Sequence, residues 1–235
     1  MKENGIRKSS VAWVIVTVIE ILRVQHVHNC GDAFNMIFWK IEFLNNNQFL
    51  QSIILVLLPQ TLILFFWGDY FEEMVYRNAS LLLTRKKNIF MILRKFYCKL
   101  TVKIIICLIA WVTVVCLFCV FKGCFLLSIE DIVNIILYIV YTIQLLKFVN
   151  MLSVIDTSII GTLVGISMQI TGLTLIKIMF NRNVEKMAWI PSYAFVLCNK
   201  AGMIPEKIVE ILYLVVLSGL FFIVNCQVMK RREWI

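Results

Sequence analysis

Three groups of residues in this chain have types and spacings that could do chemistry. Glu72 and Glu73 are adjacent carboxylates followed four residues later by Arg77. A glutamate so placed can take a proton from water, as a hydrolase requires, if a second acid–base group stands opposite it. Cys116-x-x-Cys119 has the spacing of half a zinc site, and His26 and His28 are the only imidazoles. Zinc needs two ligands beyond a cysteine pair, and the histidines lie in a distant segment. Cys116 and Cys119 therefore read as small, soft packing residues of an apolar helix. After His28 no histidine follows, so the glutamates lack the partner that water activation demands. They are expected not to be catalytic.

The elements that must carry these residues are apolar helices. Of the 235 residues 61% are hydrophobic and only 16% charged, with a mean hydropathy of +0.88. An ordinary soluble domain carries about 25% charged residues. Three prolines and nine glycines leave little sequence for turns. A bilayer-crossing helix takes about 20 apolar residues, and six stretches meet that length: 9–28, 49–68, 102–121, 132–154, 159–180 and 208–228. The expected fold is an all-α membrane protein of six transmembrane helices, one polytopic domain over 1–235. The first stretch is interrupted by Glu20 and Arg23, whose i,i+3 spacing lets them pair; it either spans or lies at the interface.

The formal charge of +9 is expected to set orientation, with no nucleic acid as partner, because no basic stripe is interleaved with exposed aromatics. Fifteen of the 23 lysines and arginines fall at the N-terminus, in 69–103, near the 155–158 turn and at the C-terminus. The richer side is the cytoplasmic one, so the chain is expected in the plasma membrane with both termini on its cytoplasmic side. The N-terminal basic residues and apolar run imitate a signal peptide, but no small-x-small cleavage site follows. On the other side, Phe34, Phe38, Ile41 and Leu44 share one helical face, as in a short interfacial helix. Segment 182–206, with Trp189, Pro191, Tyr193 and Pro205, is either a pair of broken half-helices or a surface loop. A disulfide between Cys30 and Cys198 requires both to face outside.

Within the spans, Gly161 and Gly165 form GxxxG, which permits close helix approach inside one subunit or at a dimer seam. Pro59-Gln60 and Gln169 either line a path or join helices by hydrogen bonds. No G-x-x-x-x-G-K-[ST], G-x-S-x-G or H-E-x-x-H occurs, so the chain carries no phosphate cradle or hydrolase motif of its own. Nothing in it calls for a cofactor.

Glu72-Glu73-x-x-x-Arg77 resembles the first motif of the CAAX-protease and bacteriocin-processing family. That family also needs histidines in F-x-x-x-H and H-x-x-x-[ND] patterns, which this chain lacks. The longer window 67–95 resembles the cytoplasmic segment after the second span of ABC-2-type permeases, particularly small ones associated with bacteriocin and lantibiotic transport. The matching residues are Gly68, Asp69, Glu72 or Glu73, Asn78, Leu81–Leu83, Thr84-Arg85 and the basic helix through Lys95. The tail, ending Glu233-Trp234-Ile235, departs from the family's charged-Asp-aliphatic end.

This resemblance implies a permease subunit without an ATPase site, working with a separate ABC ATPase and a second permease, identical or related. It places the coupling region at 70–100, with Glu72, Glu73, Arg77, Asn78, Arg85, Lys86, Lys87, Phe90 and Arg94 as contact residues. The implied cargo is an amphipathic or hydrophobic substance such as an antimicrobial peptide, exported in self-immunity. Independently, Ile89, Leu93, Phe96 and Leu100 fall on one helical face while Lys87, Arg94 and Lys95 fall elsewhere, as in an interfacial coupling helix. The same pattern suits a helix that only holds anionic membrane lipid. A membrane regulatory or scaffold protein without transport is the other functional class, and a neighbouring gene for a P-loop ATPase separates the two.

Overall fold

The computed structural model describes residues 13–19, 21–22, 46–77, 89–121, 129–181 and 204–231. All secondary structure among them is α-helical. The helices are α1 (Asn46–Trp67), α2 (Tyr70–Arg77), α3 (Ile89–Phe121), α4 (Ile129–Ile155), α5 (Ser158–Asn181) and α6 (Ile204–Arg231), preceded by helical turns at 13–19 and 21–22.

Four described segments are long and apolar enough to cross a membrane: Phe90–Phe118, Asp131–Ile155, Ser158–Leu175 and Ile211–Val228. They coincide with the third to sixth expected spans. Helix α1, 22 residues long, lies where the second was expected. Of the first, only residues 13–19 and 21–22 are described, and Trp13 packs on Trp111 of α3 with ring centroids 6.2 Å apart.

One expectation is corrected. The amphipathic segment beginning at Ile89 is not a separate coupling helix; it runs unbroken into the third span as one helix of 33 residues. Residues 89–121 contain neither proline nor glycine. Moreover, the buried stripe Leu93, Phe96 and Leu100 continues on the same face as Ile104, Leu108, Trp111 and Val115. At 1.5 Å per residue α3 is about 50 Å long, so roughly 20 Å of it exceeds a hydrocarbon core of about 30 Å.

Helix α4 is the centre of the bundle. It touches all five other labelled helices, most extensively α6 and α5. Half of its apolar window is buried, against 17–28% in the other three, so these present most of their surface outward. That surface is greasy: Ile106, Leu163 and Val216 are each more than half exposed, an arrangement that lipid rather than water stabilises.

The GxxxG pair serves packing inside the subunit. A Cβ on Gly161 would stand 2.8 Å from the Val149 carbonyl oxygen, and one on Gly165 would stand 2.5 Å from Val149 Cγ2. Both glycines therefore admit α4 against α5. Deeper in the bundle, Gln169 Nε2 donates to Gln60 Oε1 at 2.5 Å and to the Tyr141 hydroxyl at 3.1 Å. Both glutamines are buried. They join α1, α4 and α5 by hydrogen bonds, and no path is needed to explain them.

Candidate functional site

The motif window begins where α1 ends. Helix α1 stops at Trp67, whose carbonyl would be an orphan acceptor in an apolar setting. Asn150 on α4 supplies the donor: its Nδ2 reaches Trp67 O at 3.0 Å and its own helix's Leu146 O at 2.9 Å. Gly68 follows because the chain turns directly against α4 and α5. A Cβ there would meet the Leu64 carbonyl, with Thr162 Oγ1 at 2.8 Å and Val149 Cγ1 at 3.3 Å. Any side chain would push the α1–α2 corner out of its notch.

Asp69 precedes α2 in the N-cap position, and its carbonyl accepts from Glu73 N–H at 2.9 Å. The first turn of α2 carries Glu72 and Glu73, the favourable end for negative charge on a helix. Their carboxylates nonetheless crowd Asp69. Desolvation raises the Asp69 pKa above 3.8, with Glu73 and Glu72 adding to the rise and a backbone hydrogen bond opposing it. Burial, with Glu73 adding, likewise raises the Tyr70 phenol. The Tyr70 ring receives Lys103 Nζ at 4.9 Å, which ties α2 to α3.

Glu72 turns out to be a helix cap. Its Oε2 accepts the Ser158 backbone N–H at 2.8 Å. Ser158 is the first residue of α5, where N–H groups lack intrahelical acceptors and carry partial positive charge. The same terminus is capped from within by Thr157, whose Oγ1 accepts the Ile160 N–H at 3.4 Å and whose carbonyl accepts from Gly161 at 3.0 Å. Thus the carboxylate that resembled a hydrolytic base bridges α2 to the α4–α5 turn. Glu73 beside it is exposed.

Phe90 and Arg94, at the start of α3, are also exposed. They line a surface-open cavity of about 440 Å³ with Tyr97, Cys98, Lys147, Val215, Ser218, Gly219 and Phe222. Its aromatic wall is knit by Phe222, whose ring centroid lies 5.2 Å from Phe90 and 5.1 Å from Tyr97. Below it the Tyr97 hydroxyl accepts from Asn225 Nδ2 at 2.9 Å. Lys147 Nζ donates to Ser218 Oγ at 2.7 Å and stands 5.7 Å from the Tyr97 ring centroid.

The expected coupling residues therefore divide. Glu72 and Glu73 sit on α2, and Phe90 and Arg94 on the neighbouring start of α3. The Arg77 backbone closes α2, while its side chain lies outside the described residues, as do Asn78, Arg85, Lys86 and Lys87. Also outside them are Glu20 with Arg23, the histidines, Cys30 and Cys198, 34–44, and 182–203. Among the described residues no three His, Cys, Asp or Glu side chains gather as metal ligands. Asn150, Thr162, Lys147 and Ser218 were missed by sequence reasoning. Polarity inside an apolar run marks Asn150 and Lys147, but nothing local names their partners.

No family model matches this chain, and no curated protein or solved structure is similar to it.

Proposed function

We propose that this protein is the membrane permease subunit of an ATP-driven ABC-2-type exporter, with the end of the bundle that carries α2 facing the cytoplasm. Six spans, both termini inside and a second permease complete this reading, and the cargo is an amphipathic or hydrophobic substance such as an antimicrobial peptide. One observation carries it: the α1–α2 corner is fastened at two points, at Trp67 to Asn150 of α4 and at Glu72 to the start of α5. A short helix clamped across three membrane helices can transmit a push from a docked partner to all of them. A helix that merely rested on lipid would need no such bracing.

The chain has no G-x-x-x-x-G-K-[ST], so in this reading ATP binding falls to a separate subunit. Arg85, Lys86 and Lys87 supply the cationic contact with that subunit. Exposed ion pairs contribute up to about 1 kcal/mol each, so reversing all three to Glu weakens docking by up to about 3 kcal/mol, on the order of 100-fold. Co-purification of a P-loop ATPase, taken from a neighbouring gene where one is found, at matched expression and moderate salt, reads the effect. Equal recovery with wild type and the triple reversal would remove the basic cluster from docking. Labelling of a single cysteine at position 88 by an impermeant reagent in intact cells would overturn the orientation.

A further inference from the structure

We propose that the cavity between α3, α4 and α6 is a binding site for the phosphate group of an anionic membrane phospholipid. Its wall has the two-part chemistry of such a ligand. Arg94 and Lys147 converge on the cavity from different helices. Among the described residues neither forms an ion pair with a carboxylate; Lys147 is held by Ser218 Oγ at 2.7 Å instead. A cation at membrane depth calls for a counter-anion, and Ser218, accepting from Lys147, keeps its own hydroxyl proton to donate to one. Phe222 and Val215 form the apolar remainder.

The surroundings point to lipid as the source of that anion. The mouth opens beside the outward apolar faces of α3 and α6, where Met91, Val216 and Leu220 are more than half exposed. An acyl chain lying along them continues the contact the bilayer already makes. Lys147 lies eight residues before the end of α4 at Ile155, about 12 Å along the helix, in the half of the bundle nearer the α4–α5 turn. Gly219 leaves the space open: a Cβ there would meet nothing within 4 Å. Unlike the packing glycines, it keeps a groove clear rather than a helix close.

The site is independent of the exporter reading, because it is tested on the permease alone. The full chain, purified in detergent and delipidated, is titrated with phosphatidylglycerol or phosphatidylcholine of the same acyl chains, and bound lipid is counted by native mass spectrometry. Phosphatidylglycerol should bind saturably and about tenfold or more tighter than phosphatidylcholine, as two juxtamembrane cations would favour. Arg94→Gln and Lys147→Met should each weaken it about fivefold. Gly219→Leu should block it by filling the groove, Lys147→Arg should hold it within about twofold, and Lys99→Gln, a charge outside the cavity, should match wild type.

Equal binding of the two lipids would overturn the proposal, as would wild-type binding by Arg94→Gln and Gly219→Leu together. Displacement of the lipid by millimolar inorganic phosphate would show a site for a soluble anion and overturn the lipid assignment. If Lys147→Met fails to fold, the variants at exposed Arg94 and Gly219 decide the matter.

Discussion

Replacing Glu72 by alanine removes an acceptor from the start of α5 and a strut between α2 and the α4–α5 turn. The magnitude follows from the geometry. The contact is a backbone N–H to carboxylate hydrogen bond of 2.8 Å, partly buried, and hydrogen bonds to charged groups contribute about 1.5–3 kcal/mol. Losing an N-cap acceptor typically costs about 1 kcal/mol, and charge at a helix N-terminus about 0.3–1 kcal/mol. Thr157 still caps the same terminus through Ile160, so the loss lies at the lower end of the first range. Glu72→Ala should cost about 1–2 kcal/mol, and Glu72→Gln, which keeps an acceptor oxygen, about half as much. For a chain of this size each kcal/mol lowers the melting temperature by about 2–4 °C. Glu73 is exposed, and Glu73→Ala should stay within about 0.5 kcal/mol. Thermal unfolding of the detergent-solubilised protein followed by tryptophan fluorescence measures all three. With the strut gone, trypsin should also cut faster after Arg77. Glu72→Ala melting with wild type, or losing no more than Glu73→Ala, would refute the capping role and with it the brace.

The packing glycines give a second test: Gly165→Ala should lower stability by about 1–3 kcal/mol through overpacking, and Val149→Ala in the same chain should restore part of it, since the clash is with Val149 Cγ2. A double-mutant cycle by thermal melting reads this coupling, while Gly219→Ala, with open space around its Cβ, should be close to neutral. Gln169→Leu should cost about 0.6–1.7 kcal/mol by breaking a bond between membrane helices, with Gln60→Leu added at no further equal cost, which denaturation in mixed micelles can compare. The raised Asp69 carboxyl gives a pH dependence. The folded state favours its protonated form, so its contribution is fully present below 3.8 and is lost as pH rises through the raised value. Asp69→Asn should flatten that part of the melting-temperature profile, and an unchanged slope would reject the assignment.

That this chain is a bundle of apolar helices, and where four of its membrane-length segments lie, could be read from the sequence. The length of an apolar run is a local property, and the bilayer thickness converts it directly into a helix. The stripe through Leu93, Phe96 and Leu100 was legible for the same reason, since helical periodicity relates only near neighbours. Its continuation without a break into the third span was not read, because charge density suggested a boundary that the backbone does not make. The meaning of the Gly68–Glu72 motif depended on tertiary structure altogether. Glu72 meets Ser158 across 86 residues, Trp67 meets Asn150 across 83, Lys147 meets Ser218 across 71, and Gln60 meets Gln169 across 109. A carboxylate beside an arginine carries the same sequence signature whether it faces water, a metal or the end of a helix. Only the packing of α4 against α5, set by two glycines and Val149, brings an orphan N–H to the place where Glu72 caps it.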